Sequence, residues 1–320
     1  MSHMFDNCNT LKQLDLSSFN TEQIIDMSNM FENCTSLKEL DLSSLNTNQV
    51  KNMTYMFKNC SSLLKVNLSS LNTEQVTNMS WKFCNCKALE QINLSSLNNN
   101  NVTDMSNMFD NCGKVSVLNL SEFKTNKVTN MKNMFNNCTK LPKLDLSSFD
   151  TSNVTNMSGM FKKCIHLSEL NKSSFDTHKV TDMSEMFYST SVSSLELSSF
   201  NTSQVTNMSG MFNLCYSLQK INLKSFNTSQ VTKMPNMFSC CNSLEELDLS
   251  SFEINPVNDM RAMFHNCRSL QQLDLSSFHT SNMNITYLMF NFVNKKCKLK
   301  CTDKRILKEF HKLKGGCDII

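Results

Sequence analysis

The sequence predicts an α/β solenoid, a coil of stacked repeats rather than a set of globular domains. Three observations carry that expectation. First, Phe5, Phe31, Phe57, Phe83, Phe109, Phe135, Phe161, Phe187, Phe212, Phe238, Phe264 and Phe290 recur 26 residues apart, with one interval of 25, and all but Phe83 follow a methionine. A period in that range marks a repeat in which one coil cannot bury its apolar face alone. Second, each repeat holds a short run with period-2 alternation, such as Leu40-Asp41-Leu42, which is strand patterning. Third, all 23 methionines fall in fixed columns: 11 with Met27, 11 with Met30, and Met283 with Val50. Such complete columns are core, not ligand contacts.

The elements follow in order within residues 26–52. Met27, Met30, Phe31 and Cys34 fall at i, i+3, i+4 and i+7, the apolar stripe of a short helix. Asp26 precedes them, in a column that continues as Asn52, Asn78, Asp104, Asn130, Asn156, Asp182 and Asn207. Asn and Asp are favoured N-caps, so each repeat is expected to carry about two helical turns, with a 3₁₀ turn as the alternative. Leu40 and Leu42 then point inward and Asp41 outward. Ser43-Ser44 turns the chain, Leu45 returns inside, Asn46-Thr47 turns it again, and Val50 is inward. Stacking gives about twelve 26-residue repeats with one parallel β-sheet face and short helical turns opposite.

Composition agrees. Glycine (5) and proline (3) are scarce, which argues against linkers and disorder. The net charge of +3 predicts no polyanion partner. No run of about 18 apolar residues occurs, so no helix spanning a membrane is expected. Residues 1–293 read as the solenoid and 294–320 as a last strand with a capping helix. Cys297 to Cys301 alternates as a strand, with its cysteines inward. Thr302 or Asp303 caps a helix whose stripe is Ile306, Leu307, Phe310 and Leu313, and Gly315-Gly316 ends it. Residues 291–320 carry a local charge of +6. That charge suits either a nucleic-acid or membrane patch or a solvated outer face of the cap, and the latter is preferred because no aromatics are placed to stack bases.

Leu141–Cys164 reads Leu-Pro-Lys-Leu-Asp-Leu-Ser-Ser-Phe-Asp-Thr-Ser-Asn-Val-Thr-Asn-Met-Ser-Gly-Met-Phe-Lys-Lys-Cys. This unit resembles the BspA-type leucine-rich repeats, and within them the DUF285 or mycoplasma lipoprotein repeat branch. The resemblance covers residues 1 to about 293. It implies a right-handed leucine-rich-repeat coil and, for function, adhesion to host matrix proteins or other cells at a cell surface.

Ten of the 15 cysteines, Cys8, Cys34, Cys60, Cys86, Cys112, Cys138, Cys164, Cys215, Cys241 and Cys267, form one column. Stacked side chains point the same way, farther apart than the roughly 3.8 Å between Cβ atoms of a disulfide. Free, buried thiols are therefore expected. Cys297, Cys301, His311 and Cys317 lack the common zinc spacings, so no metal and no cofactor is expected.

The candidate partner-binding face is the outward column Asp15, Asp41, Asn67, Asn93, Asn119, Asp145, Asn171, Glu196, Asn222, Asp248 and Asp274, with Trp81 as a candidate anchor. Calcium or a basic partner could be held by such a ladder, but a hydrated sheet face is the preferred reading, with asparagines diluting like-charge repulsion. Two departures stand close together. Lys172 occupies the inward leucine column, so it must snorkel outward or distort the coil. The next repeat is the short one and has Thr190 in the cysteine column. A local bend between residues 170 and 195 is expected. Trp81-Lys82 replaces the usual small residue and methionine.

No Gly-rich phosphate loop, H-E-x-x-H or nucleophile elbow is present, and the six histidines are scattered over the repeats. The expectation is a non-enzymatic protein-binding solenoid. Met1 stands in register with Met27, so the first coil is expected to be uncapped. The alternative function is therefore a structural protein that stacks end to end. By resemblance the location is the cell surface. Residues 1–30 show no basic start followed by an apolar block. With free thiols, this makes the cytoplasm the alternative.

Overall fold

The computed structural model describes residues 1–279 and 287–314, with backbone alone at 313 and 314. Met283, the Leu313 side chain, Gly315, Gly316 and Cys317 lie outside the described residues. The chain forms a parallel β-solenoid of about ten turns. It divides into two compact units, Met1–Val154 with Met160–Phe175, and Thr155–Gly159 with Asp176–Ile320.

The first unit holds β1 (Glu39–Asp41), β2 (Lys65–Asn67), β3 (Lys143–Asp145) and β4 (Glu169–Asn171), paired in parallel as β1-β2 and β3-β4. The second holds β5 (Ser194–Glu196), β6 (Lys220–Asn222), β7 (Glu246–Asp248), β8 (Gln272–Asp274) and β9 (Lys298–Lys300), paired as β5-β6 and β7-β8-β9. In every strand pair the two partners lie 26 residues apart in the sequence. Each is three residues long, outward-inward-outward, because an Asp, Asn or Glu turns the chain immediately afterwards in all but β9.

The Met-Phe segment differs from the helical expectation. It is a succession of tight turns, with left-handed residues in two columns. Asn29 (φ 57°) and Asn33 (φ 62°) typify them, and glycine takes the first column at Gly159 and Gly210. A left-handed residue every fourth position interrupts the i→i−4 ladder, so no α-helix can propagate. The N–H groups go elsewhere. Glu32 N–H donates to Asn29 O three residues back, whereas Phe31 and Asn33 donate to Met56 O and Lys58 O of the next winding, at 3.0 and 2.9 Å. The expected N-cap column is also reassigned. Asp26 Oδ1 accepts Ser28 N–H at 2.8 Å, but the turn it closes leads into a second parallel ladder, Asp26-Asn52-Asn78-Asp104-Asn130. Asn156, Asp182, Asn207, Lys233 and Asp259 form its counterpart in the second unit.

The predicted inward columns of Met27, Met30, Phe31, Cys34, Leu42, Leu45 and Val50 are buried in most windings, whereas the Leu40 column mixes buried residues with half-buried ones such as Val66, Leu170, Ile221 and Leu299. In the first unit the phenylalanines stack nearly parallel, with centroids 5.4 to 6.0 Å apart from Phe5 to Phe161. In the second, Phe187 to Phe290 repeat the stack at 5.4 to 6.1 Å. The fourteen described cysteines are free. Column thiols donate to the preceding winding, as Cys60 Sγ does to Phe31 O at 3.1 Å. Burial pushes the thiols up, Cys34 to about 11 and Cys164 to about 12, so they are protonated and unreactive. At Thr190 a hydroxyl replaces the thiol and donates to Phe187 O at 3.0 Å.

A further inward column consists of threonine. Thr47 is buried; its hydroxyl donates to Asn72 O and accepts Asn72 N–H, both at 2.8 Å. Thr21, Thr73, Thr125, Thr151, Thr177, Thr202 and Thr228 are buried likewise, and Asn99 makes both bonds with its amide to Lys124.

Lys82 enters the methionine column fully buried. Its Nζ lies 3.3 Å from Met53 Sδ and 5.9 Å from the centroid of the Phe83 ring. Burial pulls its pKa down to about 7. The four-carbon stem fills the volume of a methionine, and the core accepts the amine where it resists the ammonium. Lys172, by contrast, is only half-buried, as snorkelling requires, and the turn after it persists: Phe175 N–H reaches Lys172 O at 3.0 Å. Helix α1 (Lys304–Lys314) follows β9. Asp303 Oδ1 caps it by accepting Arg305 and Ile306 N–H, and Phe310 packs edge-on against Phe290 at 5.2 Å.

Candidate protein-binding surface

The outward column predicted as the partner face is exposed except at Asp274, which is half-buried. Each member also builds the fold. Asp15 and Asp41 accept the N–H of Ser17 and Ser43 at 2.8 Å. The same bond to the residue two positions on recurs at Asn67, Asn93, Asn119, Asp145, Asn171, Glu196, Asn222, Asp248 and Asp274. These are Asx-type turns, in which a short side chain substitutes for a backbone turn bond. The donated N–H holds Asp15, Asp41 and Asp145 below the usual carboxylate range. Between windings, Asn67 Nδ2 donates to Asp41 Oδ1 at 2.9 Å, the dilution of like charge expected from the sequence.

Two residues away on the same face lies an outward column the sequence reading passed over. It runs Glu39, Lys65, Gln91, Val117, Lys143, Glu169, Ser194, Lys220, Glu246, Gln272 and Lys298, and every member is exposed. The other two strand columns repeat; it does not. Its signal was visible in the sequence as the one strand position with no preferred residue type.

Trp81 does not join this face. It belongs to the turn ladder, half-buried and stacked on Tyr55 with centroids 5.9 Å apart. Lys58 Nζ lies 4.8 and 5.5 Å from the Tyr55 and Trp81 rings and 3.0 Å from Glu32 Oε1. The rings cover each other's faces, so the pair is a local brace.

Beside α1 the face deepens into a cleft of about 790 Å³, bordered by β7, β8, β9 and by Leu307, Phe310 and His311. Among the described residues no group of three or more His, Cys, Asp or Glu side chains is arranged to hold a metal ion. No described helix is long and apolar enough to cross a membrane.

Stacked windings with an inward leucine column and a short parallel strand or bridge define a leucine-rich-repeat protein. The chain belongs to the family described as Mycoplasma protein of unknown function, DUF285, whose profile matches residues 1–118, 103–219 and 190–301. Among curated proteins none matches. Similar solved structures include a leucine-rich cell surface protein of Faecalibacterium prausnitzii, at 19% identity over 91% of this chain and 79% of that one, TM-score 0.46. A leucine-rich repeat protein of Bacteroides ovatus is 16% identical over 86% of each chain, TM-score 0.32. An internalin of Listeria monocytogenes is 16% identical over 91% of this chain and 76% of that one, TM-score 0.27.

Proposed function

We propose that the chain is a non-enzymatic protein-binding solenoid of twelve 26-residue windings, acting in adhesion or host interaction at a cell surface. The reading rests on one observation. Along the strand face, the column from Glu39 to Lys298 changes residue type from winding to winding, while the leucine and Asx columns beside it repeat. Packing and turn geometry hold the repeated columns; neither constrains the varied one. Within each unit, a surface with regular spacing and varied chemistry suits recognition of a protein partner, and the face predicted from Asp15 to Asp274 lies beside it. The surface location draws on the family resemblance and on the Faecalibacterium protein's description as a cell surface protein.

Beads coated with the chain should adhere to cultured cells or to immobilised extracellular matrix proteins. Reversing Lys65, Lys143 and Lys220 to glutamate should abolish adhesion while lowering the melting temperature only slightly, through loss of the exposed Lys143–Glu169 pair and the like charges then set opposite Glu39 and Glu169. Adhesion that survives the triple reversal removes the strand face from the reading. Absence of adhesion to every surface removes the reading itself.

A further inference from the structure

The geometry points to a second docking site, at the end of the strand face: the edge strand β9 accepts an acidic, extended segment of a partner protein as an added parallel strand. The proposal rests on the protein-binding reading above, since Lys298 ends the varied column of that face, but it uses the backbone edge of β9.

β9 ends the sheet β7-β8-β9, and among the described residues no strand pairs with its far side. Such an edge presents backbone donors and acceptors that an extended chain can satisfy, the strand-addition mode of peptide recognition. Two further observations say what kind of chain fits. The register aligns Glu246, Gln272 and Lys298 in one outward row, and Asp248, Asp274 and Lys300 in the other. Both rows change from acidic or neutral to lysine at the edge. A strand added in the same register would set its two outward residues opposite Lys298 and Lys300. Lys300 reaches back to Asp274 at 2.8 Å, whereas Lys298 has no ion-pair partner among the described residues. Opposite charges across a strand pair attract, and like charges repel. The lysines therefore disfavour basic strands and favour a segment with acidic residues at alternate positions.

The position between them is also specified. Leu247 and Leu273 are buried at 4% and 1% exposure, but Leu299 is only half-buried and borders the cleft with Leu307 and Phe310. An apolar residue between two acidic ones would complete the leucine row. The pattern is acidic-apolar-acidic, the pattern of Glu246-Leu247-Asp248 in β7.

The test uses the full chain and a fluorescein-labelled peptide with the sequence of residues 243–251, Ser-Leu-Glu-Glu-Leu-Asp-Leu-Ser-Ser, followed by fluorescence anisotropy at low salt. Saturable binding is expected. Carrying E246K and D248K in the peptide should weaken it at least tenfold, and K298E with K300E in the protein should reverse the preference between the two peptides. Both lysines are exposed, so the double variant should fold, which circular dichroism checks. Equal affinity for the two peptides, affinity unmoved by K298E with K300E, or no binding of either peptide overturns the site. Self-association of the chain that K298E with K300E abolishes also overturns it, because the occupant is then a second copy. Cell adhesion lost on reversing Lys65, Lys143 and Lys220 while the peptide still binds leaves this site standing. Peptide failure with adhesion intact removes this site alone.

Discussion

The turn ladder and the strand face belong to the same windings yet are held together differently. In the turn ladder, Met27, Met30, Phe31 and Cys34 are fully buried and alternate N–H groups reach into the next winding. On the strand face, pairing spans three residues, and the central side chains of β2, β4, β6 and β9 are only half-buried. The difference implies that cohesion between windings resides mainly on the turn side. The strand face can then change its outward residues at little cost to the fold. Substitution can break that contrast. Phe135→Ala leaves a gap in the ring stack and should cost on the order of 3–5 kcal/mol, whereas Lys143→Ala on the strand face should fall within about 0.5 kcal/mol of the parent. Urea unfolding followed by circular dichroism compares them, and equal effects would put the cohesion elsewhere.

Lys82 sharpens the same comparison from inside the ladder. Its folded-state pKa of about 7 lies below the ordinary 10.5. The unfolded chain therefore binds more protons across that window, and stability rises as pH climbs from about 7 to about 10.5. Lys82→Met restores the column and should add on the order of 3 kcal/mol at neutral pH while flattening the climb. Thermal melts at pH 7 and pH 10 test both parts. A variant with the same pH slope as the parent would show that this amine is not the cause.

Much of this was legible before any coordinates. The period, the inward methionine, phenylalanine and leucine columns and the free thiols needed only the stacking of identical positions. The helix did not survive, and the reason is specific. An i, i+3, i+4, i+7 stripe is also what two successive tight turns produce when each ends in a left-handed residue. The discriminating sign was present: asparagine at 29, 33, 107, 111, 133 and 137, with glycine at 159 and 210, in columns where a helix former would be expected. Lys82 could not be placed by pattern, because the same column logic sent Lys172 toward solvent. What differs is the space around each, which a sequence does not give. The candidate face was legible as an outward column, but the turn bonds that each of its members closes were not. Those follow from the bend after each strand, so asparagine and aspartate there read equally well as recognition or as geometry.

The threonine column gives a smaller effect with an internal control. Thr47→Val keeps the shape but removes a hydroxyl that both donates to and accepts from the backbone of Asn72. Leaving those groups without their partner should cost about 1–3 kcal/mol. Thr47→Asn should recover most of the loss, because Asn99 already makes both bonds in its own winding. If Thr47→Val and Thr47→Asn are equally destabilised, shape and not hydrogen bonding governs the column.

The smallest effect belongs to the strand-face turns, and it separates their two roles. Asp145 is exposed, and the Ser147 N–H bond lowers its pKa. A depressed carboxylate pKa contributes stability above the unfolded value, and that contribution fades as pH falls through the folded one. Asp145→Asn keeps an oxygen for the Ser147 N–H, as Asn67 and Asn93 do for their serines, so it should melt like the parent at neutral pH. It should also lose the part of the acid sensitivity that Asp145 supplies. Asp145→Ala removes the turn bond and should melt slightly lower at every pH. If Asp145→Asn instead lowers the melting temperature as much as Asp145→Ala, the negative charge matters more than the turn. The column would then be read as an electrostatic surface first and a bend second.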